Sequence, residues 1–235
     1  MKYAFSSRIR YSEAGADGKL TLDHLVNYFQ DCSAFQSEEV GFGPKVWLHN
    51  RTGWVIVAWR IRIFDYPSLM ETVTAATWPH AFRSVEAGRN FTLTGEDGRV
   101  FAEADSRWVY FDMENMRPIR VPQEEIEAYG INEPLAVGTY PRHIMMPETA
   151  EAKEPFAIQP SQLDTNHHVN NREYIRMAMA YLPAGFVCRE LLVDYHAQAV
   201  AGDVIYPRAA VTEAGMMVSL ENAAGKAFSV VEFRG

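Results

Sequence analysis

Apolar and polar residues follow a regular order in the first half of the chain. Residues 3–11 partly alternate, and an apolar stripe at helical spacing then runs through residues 21–40. Four later segments have the period of a sheet with one buried face. We predict one strand, one long helix and then four strands, at residues 53–66, 70–82, 85–95 and 99–111.

The second half repeats this order. A short strand is predicted at residues 156–161 and a helix at 169–182, followed by strands near residues 186–199, 203–213, 215–222 and 226–234. A repeat is stronger support for a fold than any single element. Each half has one long helix and too few other elements to cover both faces of a sheet. We therefore predict an α+β fold in which two antiparallel sheets are each wrapped round a long helix.

Prolines separate the two halves. They interrupt residues 112–150, where only one short helix is predicted, at residues 123–129. We interpret this region as a linker. The predicted organisation is a first half-domain at residues 1–115, a linker at 116–150 and a second half-domain at 151–235.

A polar stretch at residues 164–171 directly precedes the second helix. Asp164, Asn166 and His168 fall at alternating positions within it. The N-terminus of a helix offers free N–H groups and a dipole that favours negative charge, so it can hold an oxyanion. A simple helix cap needs one polar residue. Seven polar side chains in eight residues therefore favour a catalytic site over a cap.

Charge and cysteine content exclude several classes of protein. The 235-residue chain has a formal net charge of −8, whereas a nucleic-acid binder usually presents a basic face. No apolar run is long enough to span a membrane, and the first residues lack a signal-peptide pattern. Cys32 and Cys188 are too few for a disulfide scaffold, and no CxxC spacing suggests a metal. We expect a cytoplasmic protein without metal or other cofactor.

The chain resembles the acyl-acyl-carrier-protein thioesterases of plants and bacteria. The resemblance extends over almost the whole chain from Tyr11, and it rests on YSEAGADGKLTLDHLVNYFQDCS, DSRWVYFDMENMRPIRVP (105–122) and LDTNHHVNN (163–171) followed by REYI. It implies a tandem hot-dog fold. It also implies hydrolysis of fatty acyl-acyl-carrier-protein to free fatty acid and holo-carrier protein. The implied partner is acyl carrier protein with its phosphopantetheine-linked acyl chain.

The resemblance also implies a catalytic set. The family's Asp, Asn and His match Asp164, Asn166 and His168. We expect Asp164 to act as the base or to orient His168, whose neutral imidazole can accept a proton. The Asn166 amide should hold the water or the carbonyl oxygen. The backbone N–H groups of Val169 and Asn170 are expected to complete an oxyanion hole.

The sequence departs from the family pattern at one catalytic position. The family's later carboxylate falls on Gln198, which can orient a water but cannot take a proton. The base must then be Asp164, with Asp194 as the alternative, and period two places Asp194 and Gln198 on one strand face. The next position, a cysteine in many plant members, is Ala199. Covalent catalysis at that position is therefore excluded.

The first half has no matching polar cluster, since AGADGKLTLDH precedes its helix. One active site per chain is expected, and the first half is left free to bind the acyl chain. Core packing explains the aromatic residues of the strands equally well. The candidates for lining an acyl tunnel are Trp47, Trp54, Trp59, Phe64 and Trp78.

Arginines are the candidates for docking an acidic carrier protein. Arg172 and Arg176 lie four residues apart on the second helix and share a face, and Arg142 lies in the linker. The alternative is that these arginines are only solvated surface charges, which is the commoner situation for a single arginine.

Three other functions stay open: an acyl-CoA thioesterase, a non-catalytic acyl-binding hot-dog protein, and a hot-dog hydratase or dehydratase. The polar cluster argues against a pure binder, although Gln198 keeps that alternative open. The preferred acyl chain also stays open, as does assembly as a homodimer.

Overall fold

The computed structural model describes residues 2–138 and 143–235. The chain divides into two compact units, Met1–Gly138 and Thr139–Gly235. Each unit contains an antiparallel sheet with a helix packed against it, which confirms the predicted α+β class. Among the described residues, none of the helices combines the length and the apolar character that crossing a membrane requires.

The first unit contains the predicted order of one strand, one long helix and four strands. Its sheet order is β1-β3-β4-β5-β2, with β6 added to β5. A short helix, α2, was not predicted. The elements are β1 (Tyr3–Arg8), α1 (Leu22–Glu39), α2 (Pro44–Asn50), β2 (Thr52–Ile63), β3 (Thr72–Arg83), β4 (Glu86–Gly95), β5 (Val100–Asp112), β6 (Arg117–Pro118) and α3 (Gln123–Tyr129).

Helix α1 is held by the apolar stripe that its sequence predicts. Leu25, Val26 and Phe29 are fully buried, and each such side chain contributes about 1.5–3 kcal/mol relative to an exposed one. The ring of Phe29 lies 6.1 Å from that of Trp59 and 5.2 Å from that of Phe91. Trp59 therefore belongs to the core of the first unit.

The second unit repeats the arrangement with a shorter helix. Its sheet order is β9-β12-β11-β10-β7, and β8 pairs separately with β10. The elements are β7 (Glu151–Ala152), β8 (Phe156–Ala157), α4 (Asn171–Met179), β9 (Glu190–Tyr195), β10 (Val204–Thr212), β11 (Gly215–Glu221) and β12 (Ala227–Arg234).

Helix α4 has nine residues, fewer than the predicted range 169–182. It begins late because Asn170 is its cap and accepts the N–H of Arg172 at 2.9 Å. It ends early because the N–H groups of Tyr181 and Leu182 bond three residues back, in tight turns that lead to Pro183. The N-terminus of α4 is nevertheless where the polar stretch predicted it.

The division between the units differs from the predicted linker at residues 116–150. Residues up to Gly138 belong to the first unit, because α3 is bonded to it. Tyr129 is buried and donates its hydroxyl to Ser37 Oγ at 2.8 Å. Glu125 is also buried and accepts the indole N–H of Trp54 at 2.8 Å.

Candidate active site

The polar stretch forms a tight hairpin loop directly before α4. The N–H of Asp164 donates to the carbonyl of His168 at 2.8 Å, and the N–H of His167 donates to the carbonyl of Asp164 at 3.1 Å. Leu163 and Val169 close the loop as a β-bridge. His167 has a φ of 61°, in the left-handed region that favours glycine. Backbone bonds therefore fix the shape of the loop.

The first unit contains the same loop with different side chains. The N–H of Gly15 donates to the carbonyl of Lys19 at 2.8 Å, and that of Gly18 donates to the carbonyl of Gly15 at 3.0 Å. Gly18 has a φ of 71°. The sequence repeat therefore extends to individual hydrogen bonds. The positions of Asp164, Asn166 and His168 are taken in the first loop by Gly15, Asp17 and Lys19.

The carboxylate of Asp164 holds the loop with one of its oxygens. Oδ1 accepts the N–H of Asn166 at 2.8 Å and that of His168 at 3.2 Å. Within residues 2–138 and 143–235, neither its second oxygen nor the imidazole of His168 has a hydrogen-bond partner. The expected orienting bond from Asp164 to the His168 ring is therefore not formed. The second carboxylate oxygen can accept a bond from a water molecule.

The structure brings the four predicted catalytic residues into two neighbouring segments. A β-bridge joins His168 to Val200, two residues beyond Gln198. Asn166 and Gln198 are exposed and His168 is half-buried. No described residue bonds the side-chain amides of Asn166 and Gln198. These polar groups are therefore available to a ligand.

The backbone N–H groups of Val169 and Asn170, which were predicted to form an oxyanion hole, already have backbone partners in the structure. The N–H of Val169 donates to the carbonyl of Ala199 at 2.9 Å, and that of Asn170 donates to the carbonyl of Gln162 at 3.0 Å. Neither group can donate to an oxyanion without breaking a bond that holds the loop. Side-chain donors must take this role.

Tyr174 is a positioning residue that the sequence did not single out. It is buried on α4, and its hydroxyl oxygen accepts the N–H of Ala199, beside Gln198, at 2.8 Å. Burial raises the pKa of Tyr174 to about 12, so the phenol stays neutral. The sequence gives one indication of this role: a tyrosine lies on the apolar stripe of the helix that follows the polar stretch. A buried tyrosine usually forms a hydrogen bond through its hydroxyl.

The carboxylate of Asp194 has partners of its own. It is buried, contacts His143 and His196, and accepts the N–H of Ile144 at 3.4 Å. The predicted alternation from Asp194 to Gln198 is interrupted. The N–H groups of residues 196 and 197 both donate to the carbonyl of Phe228, the pattern of a β-bulge. We therefore favour Asp164 as the base, and Asp194 stays the alternative.

The two predicted docking arginines of α4 share one acidic partner. Glu173 is buried and accepts Arg172 at 2.7 Å through Oε1, and Arg176 at 2.6 Å through Oε2. Half of the Arg176 side chain remains exposed. Arg142 lies outside the described residues. On α4, two guanidinium groups therefore share one buried carboxylate.

An aromatic pocket lies in the first unit. Trp47 and Trp54, two of the five aromatic residues considered for an acyl tunnel, line it together with Phe82, Trp108 and Tyr129. The other three lie elsewhere: Trp59 and Trp78 are buried, and Phe64 is exposed.

Two family models match the chain. One describes the acyl-ACP thioesterase N-terminal domain and matches residues 1–129, and the other describes the C-terminal domain and matches residues 146–225. The chain belongs to the acyl-ACP thioesterase family. The polar stretch at 164–171 lies within the C-terminal match.

Curated relatives and solved structures agree with this family. The chain is 25% identical over 222 residues to the palmitoyl-acyl carrier protein thioesterase of Arabidopsis thaliana, covering 87% of this chain and 54% of that protein. It spans 46% to 60% of the length of the curated plant relatives that it matches. An acyl-ACP thioesterase from Bacteroides thetaiotaomicron superposes with a TM-score of 0.90 at 20% identity, covering 99% of this chain and 97% of that one. The 12:0-ACP thioesterase of Umbellularia californica gives a TM-score of 0.86 at 18% identity, covering 99% and 96%. The fold of this family is the predicted tandem hot-dog fold.

Both cysteines of this family member are expected to be dispensable for chemistry. Cys32 and Cys188 are buried thiols, and burial raises the pKa of each to about 12. Neither forms a thiolate near neutral pH, and the thiolate is the nucleophile. The Cys32→Ala, Cys188→Ala double variant should keep the wild-type kcat but unfold at a lower temperature, because it leaves small cavities. Loss of kcat in a fully folded double variant would support a thiol nucleophile.

Proposed function

We propose that the chain is a thioesterase that hydrolyses fatty acyl-acyl-carrier-protein to free fatty acid and holo-carrier protein. One observation carries the proposal. Each unit has a hairpin loop with the same backbone bonds, and the loop of the second unit presents Asp164, Asn166 and His168 with polar groups that no described residue binds. A loop that served only to cap a helix would not need them. Membership of the acyl-ACP thioesterase family supports the same chemistry.

The difficult step of the reaction is the attack of water on the thioester carbonyl. The leaving thiol has an ordinary pKa near about 8.5, so it departs with little help from an acid. In our proposal, the unbonded oxygen of Asp164 takes the proton of the attacking water. The amide oxygen of Gln198 holds that water, since glutamine accepts a hydrogen bond but cannot act as the base.

The oxyanion that forms needs donors outside the backbone of the loop. The side-chain amide of Asn166 and the ring of His168 have N–H donors that no described residue binds. We assign both to the developing negative charge, in place of the engaged N–H groups of Val169 and Asn170. A neutral imidazole can donate one hydrogen bond in this way.

The first unit is proposed to bind the acyl chain. Its loop has no catalytic set, and its pocket is lined mostly by aromatic rings, beside Ser33, Ser37 and Arg89. Binding pockets for small molecules are commonly lined in this way, by aromatic side chains with a few polar groups. Trp47 and Trp54 are the pocket residues that the sequence also indicated.

Direct comparison of substrates tests the proposed function. Thiol release is measured with acyl-acyl-carrier-protein, with the matching acyl-CoA, and with an enoyl substrate for hydration. We expect the carrier-protein substrate to give the highest kcat/KM. A higher value with acyl-CoA would favour the second candidate. Turnover of only the enoyl substrate would indicate a hydratase, and binding without thiol release would indicate an acyl-binding protein.

Acyl carrier protein is the proposed partner, and salt should weaken its docking. Carrier proteins are acidic and this chain has a net charge of −8, so attraction requires a local basic surface. We expect kcat/KM toward acyl-carrier protein to fall steeply as salt rises, while that toward a short acyl-pantetheine stays nearly constant. Equal salt dependence of the two substrates would contradict a charged docking surface.

A pair of arginine variants locates that surface. Arg176→Gln should lower kcat/KM for the carrier-protein substrate and leave acyl-pantetheine hydrolysis unchanged. Arg10→Gln is the matched control, because Arg10 also pairs with a glutamate three residues away, Glu13, and is similarly exposed. An equal loss in both variants would place docking elsewhere than α4.

Location and assembly complete the proposal. We propose a cytoplasmic location, which the low cysteine content supports, because two cysteines are too few for the disulfide scaffold typical of small secreted proteins. Light scattering on the assay sample measures whether the chain forms a homodimer.

A further inference from the structure

Three side chains with metal-binding atoms meet in the second unit, and none of them is among the residues proposed for catalysis. They belong to His143, Asp194 and His196, and their potential ligand atoms all lie within 4.8 Å of one another. Nδ1 of His143 lies 3.1 Å from Oδ2 of Asp194, and Nε2 of His196 lies 3.3 Å from the same oxygen. Two imidazole nitrogens therefore face one carboxylate oxygen.

These distances fit a shared metal ion. Zinc binds imidazole nitrogen and carboxylate oxygen at about 2.0–2.2 Å, so two ligands at the corners of a tetrahedron lie about 3.3–3.4 Å apart. The two measured distances from Oδ2 of Asp194 come close to this value. The two imidazole rings are nearly parallel, with centroids 5.8 Å apart, so both can point their nitrogens toward one position.

The surroundings hold the carboxylate in place and leave one side open. Asp194 lies on β9 with only 3% of its surface exposed, and the N–H of Ile144 donates to its Oδ2 at 3.4 Å. Ile144 and Leu192 pack into one small apolar core beside it. By contrast, 59% of the His143 side chain and 29% of the His196 side chain are exposed. A metal ion can enter from that side and keep a water as its fourth ligand.

We propose that His143, Asp194 and His196 form a binding site for a divalent transition-metal ion of the zinc class. Two imidazoles and one carboxylate suit zinc, cobalt or nickel, whereas calcium and magnesium prefer oxygen ligands alone. The bound ion would link His143 and the residues that follow it to strand β9. The three ligands are different residues from those of the loop that carries Asp164, and the proposal does not depend on the proposed function.

The test uses the full chain without an affinity tag, first stripped of metal by a chelator. Cobalt is titrated and followed by its visible absorption, and zinc is titrated by calorimetry. We expect one ion per chain. Zinc should also raise the Tm, because a ligand that binds only the folded state stabilises it.

Mutating a residue that only hydrogen-bonds to a metal ligand typically lowers metal affinity about 10–100-fold. His143→Ala and His196→Ala each remove a ligand itself, so each should weaken zinc binding by at least about a hundredfold. They should also abolish the rise in Tm with zinc. His143 is exposed, so its variant should fold like the wild type without metal. A matching metal-free Tm checks this.

His80→Ala is the matched control. It removes the imidazole of a His–Asp pair, with Asp105 at 2.8 Å, and among the residues that the structure describes this pair has no third potential metal ligand beside it. Its zinc affinity should equal that of the wild type. Failure of the wild type to bind one ion would overturn the proposal, and so would unchanged affinity in both the His143 and His196 variants.

Discussion

Replacing either His168 or Asn166 by alanine should lower kcat at least about a hundredfold, because one oxyanion donor is commonly worth about 3–4 kcal/mol of the barrier. In the structure, both side chains lie on a loop whose shape depends on backbone bonds and on the carboxylate of Asp164. Neither alanine variant removes one of those bonds. The KM for acyl-carrier protein should change little, since the donors act mainly in the transition state.

Two further variants separate the role of His168 from a general effect on the loop. His168→Gln keeps a neutral N–H donor, so it should retain more activity than His168→Ala if the imidazole donates to the oxyanion. If the imidazole is instead the base, the two variants should be equally slow. His167→Gly is the control, because His167 occupies the left-handed position that Gly18 takes in the first unit. It should keep the wild-type kcat and Tm. Near-wild-type turnover in folded His168→Ala would contradict the site.

The sequence predicted the repeat because local patterns encode it. The stripe around Leu25 and Phe29 and the alternating strands depend only on residues close in the chain. The matched loops also have a local cause, since Gly18 and His167 stand at the same left-handed position. Helix α2 was missed because it has only seven residues, too few for a clear periodic signal.

The contacts that the sequence did not predict, in the candidate active site and in the proposed metal site, join residues that are distant in the chain. The N–H of Val169 is used by the carbonyl of Ala199, thirty residues later, and Ala199 also bonds the hydroxyl of Tyr174. His143 meets Asp194 across 51 positions. Spacing within one motif cannot show such partners. The sequence could therefore identify which side chains the loop presents, but not which backbone donors remain free.

Asp164→Asn should lower kcat at least about a hundredfold, because it removes the proposed base. The substitution separates chemistry from structure. The asparagine carbonyl oxygen can still accept the N–H groups of Asn166 and His168, which Oδ1 of Asp164 accepts now. The loop should therefore keep its shape, and an unchanged Tm checks this. A loss of activity together with a loss of Tm would indicate that the carboxylate serves the fold instead.

Gln198→Glu tests the same assignment from the other side. If Asp164 is the base, a second carboxylate at position 198 makes it harder for both groups to be ionised together, so one of them binds a proton at a higher pH. The base is then protonated earlier as the pH falls. The acidic limb of the kcat profile should move to higher pH, and activity at neutral pH should stay level or fall. The measurement is kcat against pH for the wild type, Gln198→Glu and Asp164→Asn. A kcat about tenfold higher in Gln198→Glu, with Asp164→Asn still active, would contradict this assignment. The base of the family would then be the carboxylate at position 198, and this chain would be slow because glutamine replaces it.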